Sequence, residues 1–137
     1  MVELPLTDLA LTFLAQPNPA VIATVRPDGQ PVSVATWYLL TTGRVLVNME
    51  AGRRRLTYLR QDPRVSITVL GNDTWYTHVT LLGRVVDIAD DPDLQGIDRL
   101  AMHYTGHPFQ DRHSRRVNAW VEIDRWTSWE LDRESES

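Results

Sequence analysis

The stretch VLVNMEAGRRRLTYLRQDPRVSITV, Val45 to Val69, decides the architecture. Its apolar opening, with Arg44 before it, reads as a strand over Arg44 to Met49. Leu56 and Leu59, with Tyr58 beside them, then give a short helix one buried side, and Asp62-Pro63 stops it because a residue before proline avoids the helical region. Arg64 to Leu70 returns as a strand rich in β-branched residues. Between the first strand and the helix lie Arg53, Arg54 and Arg55, although the chain as a whole carries a net charge of -4. A helix start offers free backbone N–H groups and the positive end of the helix dipole, which disfavours cations. Guanidinium forks added there make a receptor for a phosphate or a polycarboxylate. The plainer alternative is a solvated first turn whose arginines are incidental.

Outward from this segment the pattern is of hairpins. Leu6 to Gln16 carries Leu6, Leu9, Ala10, Phe13 and Leu14 at helical spacing, with Thr7 or Asp8 as cap and Pro17-Asn18-Pro19 as terminator. Ala20 to Arg26 and Pro31 to Leu40 read as two strands about the turn Pro27-Asp28-Gly29. Beyond Gly71-Asn72-Asp73, a long strand or bulged pair runs from Thr74 to Ile88 around Gly83. Asp91-Pro92-Asp93 opens a helix to about Tyr104, with Leu94, Ile97, Leu100 and Ala101 on one face. Thr105 to Arg115 is a loop, Arg116 to Ile123 and Trp126 to Leu131 are closing strands, and the charged tail Asp132 to Ser137 is expected to fray. Hairpin-linked strands with few helices indicate an antiparallel barrel or sandwich, and 137 residues suit a single domain, 1–137.

Composition narrows the chemistry. All 14 basic residues are arginine, which removes lysine Schiff-base chemistry. The absence of cysteine removes disulfides, thiolate metal sites and cysteine nucleophiles. No secretory signal or transmembrane-length apolar run is visible, so a cytoplasmic protein with no membrane partner is expected. The acidic balance argues against nucleic-acid binding. His103 and His107 stand at metal-ligand spacing, but Gly106 and Pro108 break any helix there and no carboxylate pair completes a set, so no metal is expected.

The ordered set of segments resembles the split β-barrel flavin- and deazaflavin-dependent oxidoreductases related to pyridoxamine 5′-phosphate oxidase. The segments are PAVIATVRPDGQPVSVATWY (Pro19 to Tyr38), the opening stretch, GRVVDI (Gly83 to Ile88), YTGHPF (Tyr104 to Phe109) and RVNAWVEIDRWTSW (Arg116 to Trp129). The resemblance covers about Leu6 to Leu131 and implies a mainly β (α+β) fold, a split antiparallel β-barrel with a few short helices. It also implies a homodimer with the cofactor in a groove between protomers. Within the family the chain is most similar to the small actinobacterial branch, which often uses the deazaflavin coenzyme F420, with its phosphate and oligoglutamate tail; FMN is the alternative cofactor. The basic residue that holds the phosphate in that branch, often lysine, is matched here by Arg55, with Arg53 close before it. Arginine keeps the charge and adds a fork, and suits either phosphate.

The same resemblance places Val34, Ala35, Thr36 and Trp37 on the ring-binding face, although an ordinary core strand would read alike, above all at Val34 and Leu39. Asn48, Met49, Glu50 and Ala51 would supply backbone groups to the ring edge. Trp75, with Tyr76, either reaches a cofactor across the dimer or is a barrel aromatic. Tyr104, His107 and Phe109 are candidate walls of a substrate pocket, or parts of a plain surface loop. Trp120, Trp126 and Trp129 read as core and dimer-interface residues. No catalytic side chain is assigned, since the cofactor would carry the chemistry. The implied activity is hydride transfer from reduced F420 to an electron-poor small molecule; a non-catalytic carrier or sensor of the same fold shares every one of these features.

Overall fold

Eight strands and three short helices make up the fold, in a computed structural model that describes residues 1–131, and they follow the segment order read from the sequence apart from a first short strand ahead of the first helix. The tail expectation for Asp132 to Ser137 lies outside the described residues. The strands are β1 (Val2–Glu3), β2 (Ala20–Val25), β3 (Pro31–Thr36), β4 (Leu39–Leu40), β5 (Arg44–Glu50), β6 (Arg64–Leu70), β7 (His78–Asp90) and β8 (Arg116–Trp129). The helices are α1 (Asp8–Leu14), α2 (Arg54–Gln61) and α3 (Gln95–Thr105), the last preceded by a 3-10 turn at Pro92–Leu94. All strand pairings are antiparallel, in the order β3-β2-β6-β7-β8-β5-β4, with β1 added along β8.

Period-two alternation gives β2, β6, β7 and β8 one inward face each: Ile22, then Val65, Ile67 and Val69, then Val79 and Leu81, then Val117, Ala119 and Val121. These residues meet Val45, Val47 and Met49 of β5 in one core, so the sheet is rolled around it. α2 contributes Leu56 and Leu59 to this core, whereas Tyr58 is only half-buried. The other face of β5 is buried too, because α3 lies over it: Leu46 packs with Ile97 and Leu100, flanked by Trp37, Leu39, Phe109 and Trp120.

Several boundaries differ from the sequence reading. The first helix is shorter, and Thr7 is its cap, its Oγ1 accepting from Ala10 N at 3.2 Å; Leu9 is exposed. The strand expected over Pro31 to Leu40 breaks after Thr36, because Trp37 joins the cluster under α3 while Tyr38 enters the main core. The Tyr38 hydroxyl donates to Leu14 O (2.8 Å) and also reaches Gln16 O (3.1 Å), which ties the end of α1 to the core. β7 begins at His78 rather than Thr74: Gly71 N donates to Thr77 O, and the carbonyls of Trp75 and Tyr76 turn toward the His78 ring. The two closing strands are one continuous strand, in which Asp124 is the extra residue of a bulge: Arg125 faces Leu82 and Ile123 faces Gly83. Val34 is not a core residue of the protomer, being 44% exposed. Of the tryptophans, Trp126 is buried, Trp120 packs under α3 and Trp129 is exposed.

Gly83 sits at this bulge because a side chain there would place Cβ 2.2 Å from the Glu122 carbonyl oxygen. Backbone cannot yield as a side chain can. Gly83→Ala is expected to cost about 1–3 kcal/mol by overpacking, read as a lower urea midpoint at unchanged slope. Gly52→Ala, with nothing within 4 Å of its built Cβ, should leave the midpoint in place.

Candidate cofactor cleft

An open cleft of about 1170 Å³ lies where β3, β5, the start of α2 and the face of α3 meet. Of the residues singled out from sequence, Val34, Ala35, Thr36, Trp37, Asn48, Met49, Glu50, Arg53, Arg54, Arg55, Tyr104 and Phe109 line it. Ala51, Trp75 and His107 do not. Ala51 turns inward against the core, its N–H donating to Arg115 O at 2.9 Å. Trp75 is 62% exposed on the turn between β6 and β7, stacked on Tyr76 with ring centroids 4.2 Å apart. His107 is exposed on the loop after α3.

The arginines owe their position to the short step Ala51-Gly52 between β5 and α2. Arg53 occupies the N-cap of α2 and supplies no side-chain cap, so the helix starts without the usual acceptor. Arg53 makes a long, exposed ion pair with Glu50 (3.9 Å). Arg54 is exposed. Arg55 is half-buried, and its Nε is the one buried side-chain polar atom among the described residues without a hydrogen-bond partner. Burial, and then the neighbouring charge of Arg53, push the Arg55 guanidinium below the ordinary arginine value. An unpaired buried donor of this kind is costly unless an acceptor meets it.

β5 also presents free backbone here. β4 pairs only with Val45 and Leu46, so Val47, Asn48 and Met49 have no strand neighbour on that side among the described residues. The opposite wall is aromatic. Trp37 stacks on Tyr104 (5.2 Å, 12°) and meets Phe109 edge-on (6.2 Å, 86°). The Tyr104 hydroxyl donates to Asn18 O at 2.6 Å and accepts from Tyr38 N at 3.4 Å. Phe109 is held because Asp98 Oδ1 accepts from its N–H (3.0 Å), while the same carboxylate takes a two-pronged contact from Arg112 (2.7 and 3.1 Å). The Arg112 pairing, with the Phe109 N–H, keeps the Asp98 carboxyl below the usual range.

Sequence reasoning missed Arg116, Tyr58, Ile97 and Leu100 as cleft residues. The sequence reading places Ile97 and Leu100 only on one face of the helix, and that face both packs on β5 and lines the cleft. Arg116 has a signal only in the strand register, which sets it opposite Glu50 and Asn118 opposite Asn48.

With this geometry in place, the comparisons identify the class. The sequence profile described as pyridoxamine 5′-phosphate oxidase matches residues 6–130. The chain belongs to that family, and its fold is the family's split barrel. Among solved structures it is similar to an F420 reductase, at 27% identity and TM-score 0.77, covering 85% of this chain and 94% of that one. It is also similar to the conserved hypothetical protein Rv2991 from Mycobacterium tuberculosis, at 25% identity and TM-score 0.75, covering 98% and 91%. General Stress Protein 26 from Bacillus anthracis shares the fold at 16% identity and TM-score 0.68, covering 90% and 92%. No curated protein matches the sequence. No helix among the described residues is long and apolar enough to cross a membrane.

Burial pushes the Tyr104 hydroxyl up to about 12, and it pushes Tyr38 up as well. In the unfolded chain a tyrosine ionises near pH 10. The stabilisation is therefore complete below pH 10 and is lost as pH rises toward 12. Urea unfolding at steps between pH 9 and pH 12 should show this decline, and Tyr104→Phe should make it shallower.

Proposed function

We propose that this protein is an oxidoreductase that binds reduced coenzyme F420 in the cleft and delivers a hydride to an electron-poor small molecule. The observation that carries this reading is Arg55, a half-buried cation with an orphaned Nε, set beside Arg53 and Arg54 at an uncapped helix start. That donor set suits a phosphate, which would be met by backbone N–H groups, the helix dipole and guanidinium forks. The family match and the similarity to an F420 reductase support the oxidoreductase class.

The bound deazaflavin would supply the hydride from its ring carbon. The chain's own residues bind and orient. Arg53 and Arg55 would hold the phosphate, and Arg54, exposed beside them, would be available to the carboxylates of the tail. Val34, Ala35 and Thr36 give the ring a surface of small side chains, and the unpaired edge of Val47 to Met49 offers it N–H and C=O groups. Trp37, Tyr104 and Phe109 wall off water on the substrate side. FMN is the second reading, since its phosphate suits the same arginines and the pyridoxamine 5′-phosphate oxidase profile matches.

The cleft is completed by a second copy of the chain. β3 is exposed along nearly its whole length on both faces, and Val32, Val34, Trp75, Tyr76 and Trp129 are exposed apolar residues. A homodimer would cover such surface. Light scattering should give twice the mass of the chain, and a monomer at micromolar concentration would count decisively against this assembly.

A charge-assisted contact of this kind contributes about 1.5–3 kcal/mol, so Arg55→Ala should weaken deazaflavin binding roughly tenfold or more. Affinity should also fall with added salt. The check is a fluorescence titration of wild type, Arg55→Ala and the Arg53→Ala/Arg55→Ala double variant with F420 and with FMN. Undiminished binding by the double variant sinks the anchor, and tighter FMN binding moves the assignment to the flavin.

A further inference from the structure

One cation of the cleft lies apart from the triple arginine in sequence and has its own fixed geometry. Arg116 opens β8, and its Nε donates to Asn48 Oδ1 at 2.7 Å. Its guanidinium carbon lies 4.7 Å from the centroid of the Phe109 ring, over the ring face. Both supports are themselves fixed. Asn48 Nδ2 donates to Asn118 Oδ1 (2.7 Å) and Asp91 Oδ2 (3.1 Å), so its Oδ1 must face Arg116. Phe109 is pinned through its backbone to Asp98.

The plane of the guanidinium is thus set, while its two terminal nitrogens have no hydrogen-bond partner among the described residues. They are not entombed either, since Arg55 Nε is the described atom that is both buried and unpartnered. Burial lowers the Arg116 guanidinium, opposed by the carboxylates of Glu50, Asp111 and Asp91 and reinforced by Arg53. None of those carboxylates forms an ion pair with it. Beside this fork stand the stacked Trp37 and Tyr104 and the edge-on Phe109, a set of flat apolar surfaces in the same cleft.

We infer that Arg116 is the substrate-selecting residue of the cleft: it takes the carboxylate of a substrate whose planar conjugated part packs against Trp37 and Phe109. Calling the ligand a substrate rests on the reductase reading above, but the binding does not require the cofactor. A carboxylate matches the two free parallel N–H donors of a guanidinium, which a neutral amide cannot do. A partly desolvated setting strengthens that pairing relative to open water.

The test uses cinnamate and cinnamamide, equal in shape and differing in charge, titrated calorimetrically into the full chain with and without F420. Wild type should bind cinnamate roughly tenfold more tightly. Arg116→Gln should abolish the preference while leaving F420 affinity unchanged, with circular dichroism confirming that the variant is folded at the titration temperature. Arg116→Lys, which keeps the charge and loses the fork, should retain part of it. The preference should persist in the Arg53→Ala/Arg55→Ala variant.

Equal binding of acid and amide by wild type overturns the inference without any variant being needed. So does failure of cinnamate to bind at millimolar concentration, or a preference that survives in Arg116→Gln. Loss of F420 affinity in Arg116→Gln would assign the residue to the cofactor anchor instead, and would also overturn it. A chain that binds neither F420 nor FMN yet shows an Arg116-dependent preference for cinnamate would refute the reductase reading and leave this one standing.

Discussion

The Asp91 carboxylate, buried behind β5, accepts hydrogen bonds from Gly96 N (2.7 Å), Ile97 N (2.9 Å), Asn48 Nδ2 (3.1 Å) and Asn118 Nδ2 (3.4 Å). Two of these donors are backbone N–H groups of the first turn of α3, and the other two are side chains of the sheet beneath it. One group therefore caps the helix and fastens it to β5 and β8. Hydrogen bonds to a charged acceptor contribute about 1.5–3 kcal/mol each, and donors left buried without it would cost about 1–3 kcal/mol apiece. Gly96 belongs to the same constraint. A Cβ there would lie 2.0 Å from Asn118 Oδ1, so any side chain would have to displace the Asn118 amide from its hydrogen bonds to Asn48 and Asp91.

Everything on the aromatic side of the cleft depends on that docking. Tyr104 and the residues that hold Phe109 are carried by α3 or follow directly from it, and their ring contacts with Trp37 need the helix at that height. The charged side is built on a different principle. Arg53, Arg54 and Arg55 cluster at a helix start that repels them, and burial further disfavours the charge of Arg55. A rigid apolar wall thus faces a charged one whose cations are short of acceptors. Such a pairing suits a long ligand with a flat end and an anionic end.

Much of the fold was legible because its signals are local. The alternation in RVSITVL and AVIATV, the proline stops, and the leucines after the arginines each act within a few residues. Gly83 marked the same stretch as a long strand or a bulged pair, and the ladder is irregular there, with the extra residue on the facing strand. What the sequence hid were features set by partners far along the chain. The break after Thr36 arises because Trp37 and Tyr38 are claimed by different clusters, one under α3 and one inside the barrel. The polar pair Asp124-Arg125 looks like the end of a strand, yet one extra residue is absorbed opposite Gly83 and the strand continues. Arg55 was legible from charge and position. Arg116 was not, because its surroundings are assembled from Asn48, Phe109 and the register of β5 on β8.

That register has a bearing on how the chain comes to be folded. β8 lies between β7 and β5 and also carries β1, yet it follows all of them along the chain. While the polypeptide emerges from the ribosome, the inner edges of β5 and β7 must wait, bare, for the segment that joins them. The hairpin β2-β3 and the pair β6-β7 can form early from nearby sequence, but the barrel cannot close on its own partial product. Such non-local pairing folds slowly and leaves adhesive edges exposed in the interval. A nascent chain stalled before Arg116 would be a sheet with a missing centre.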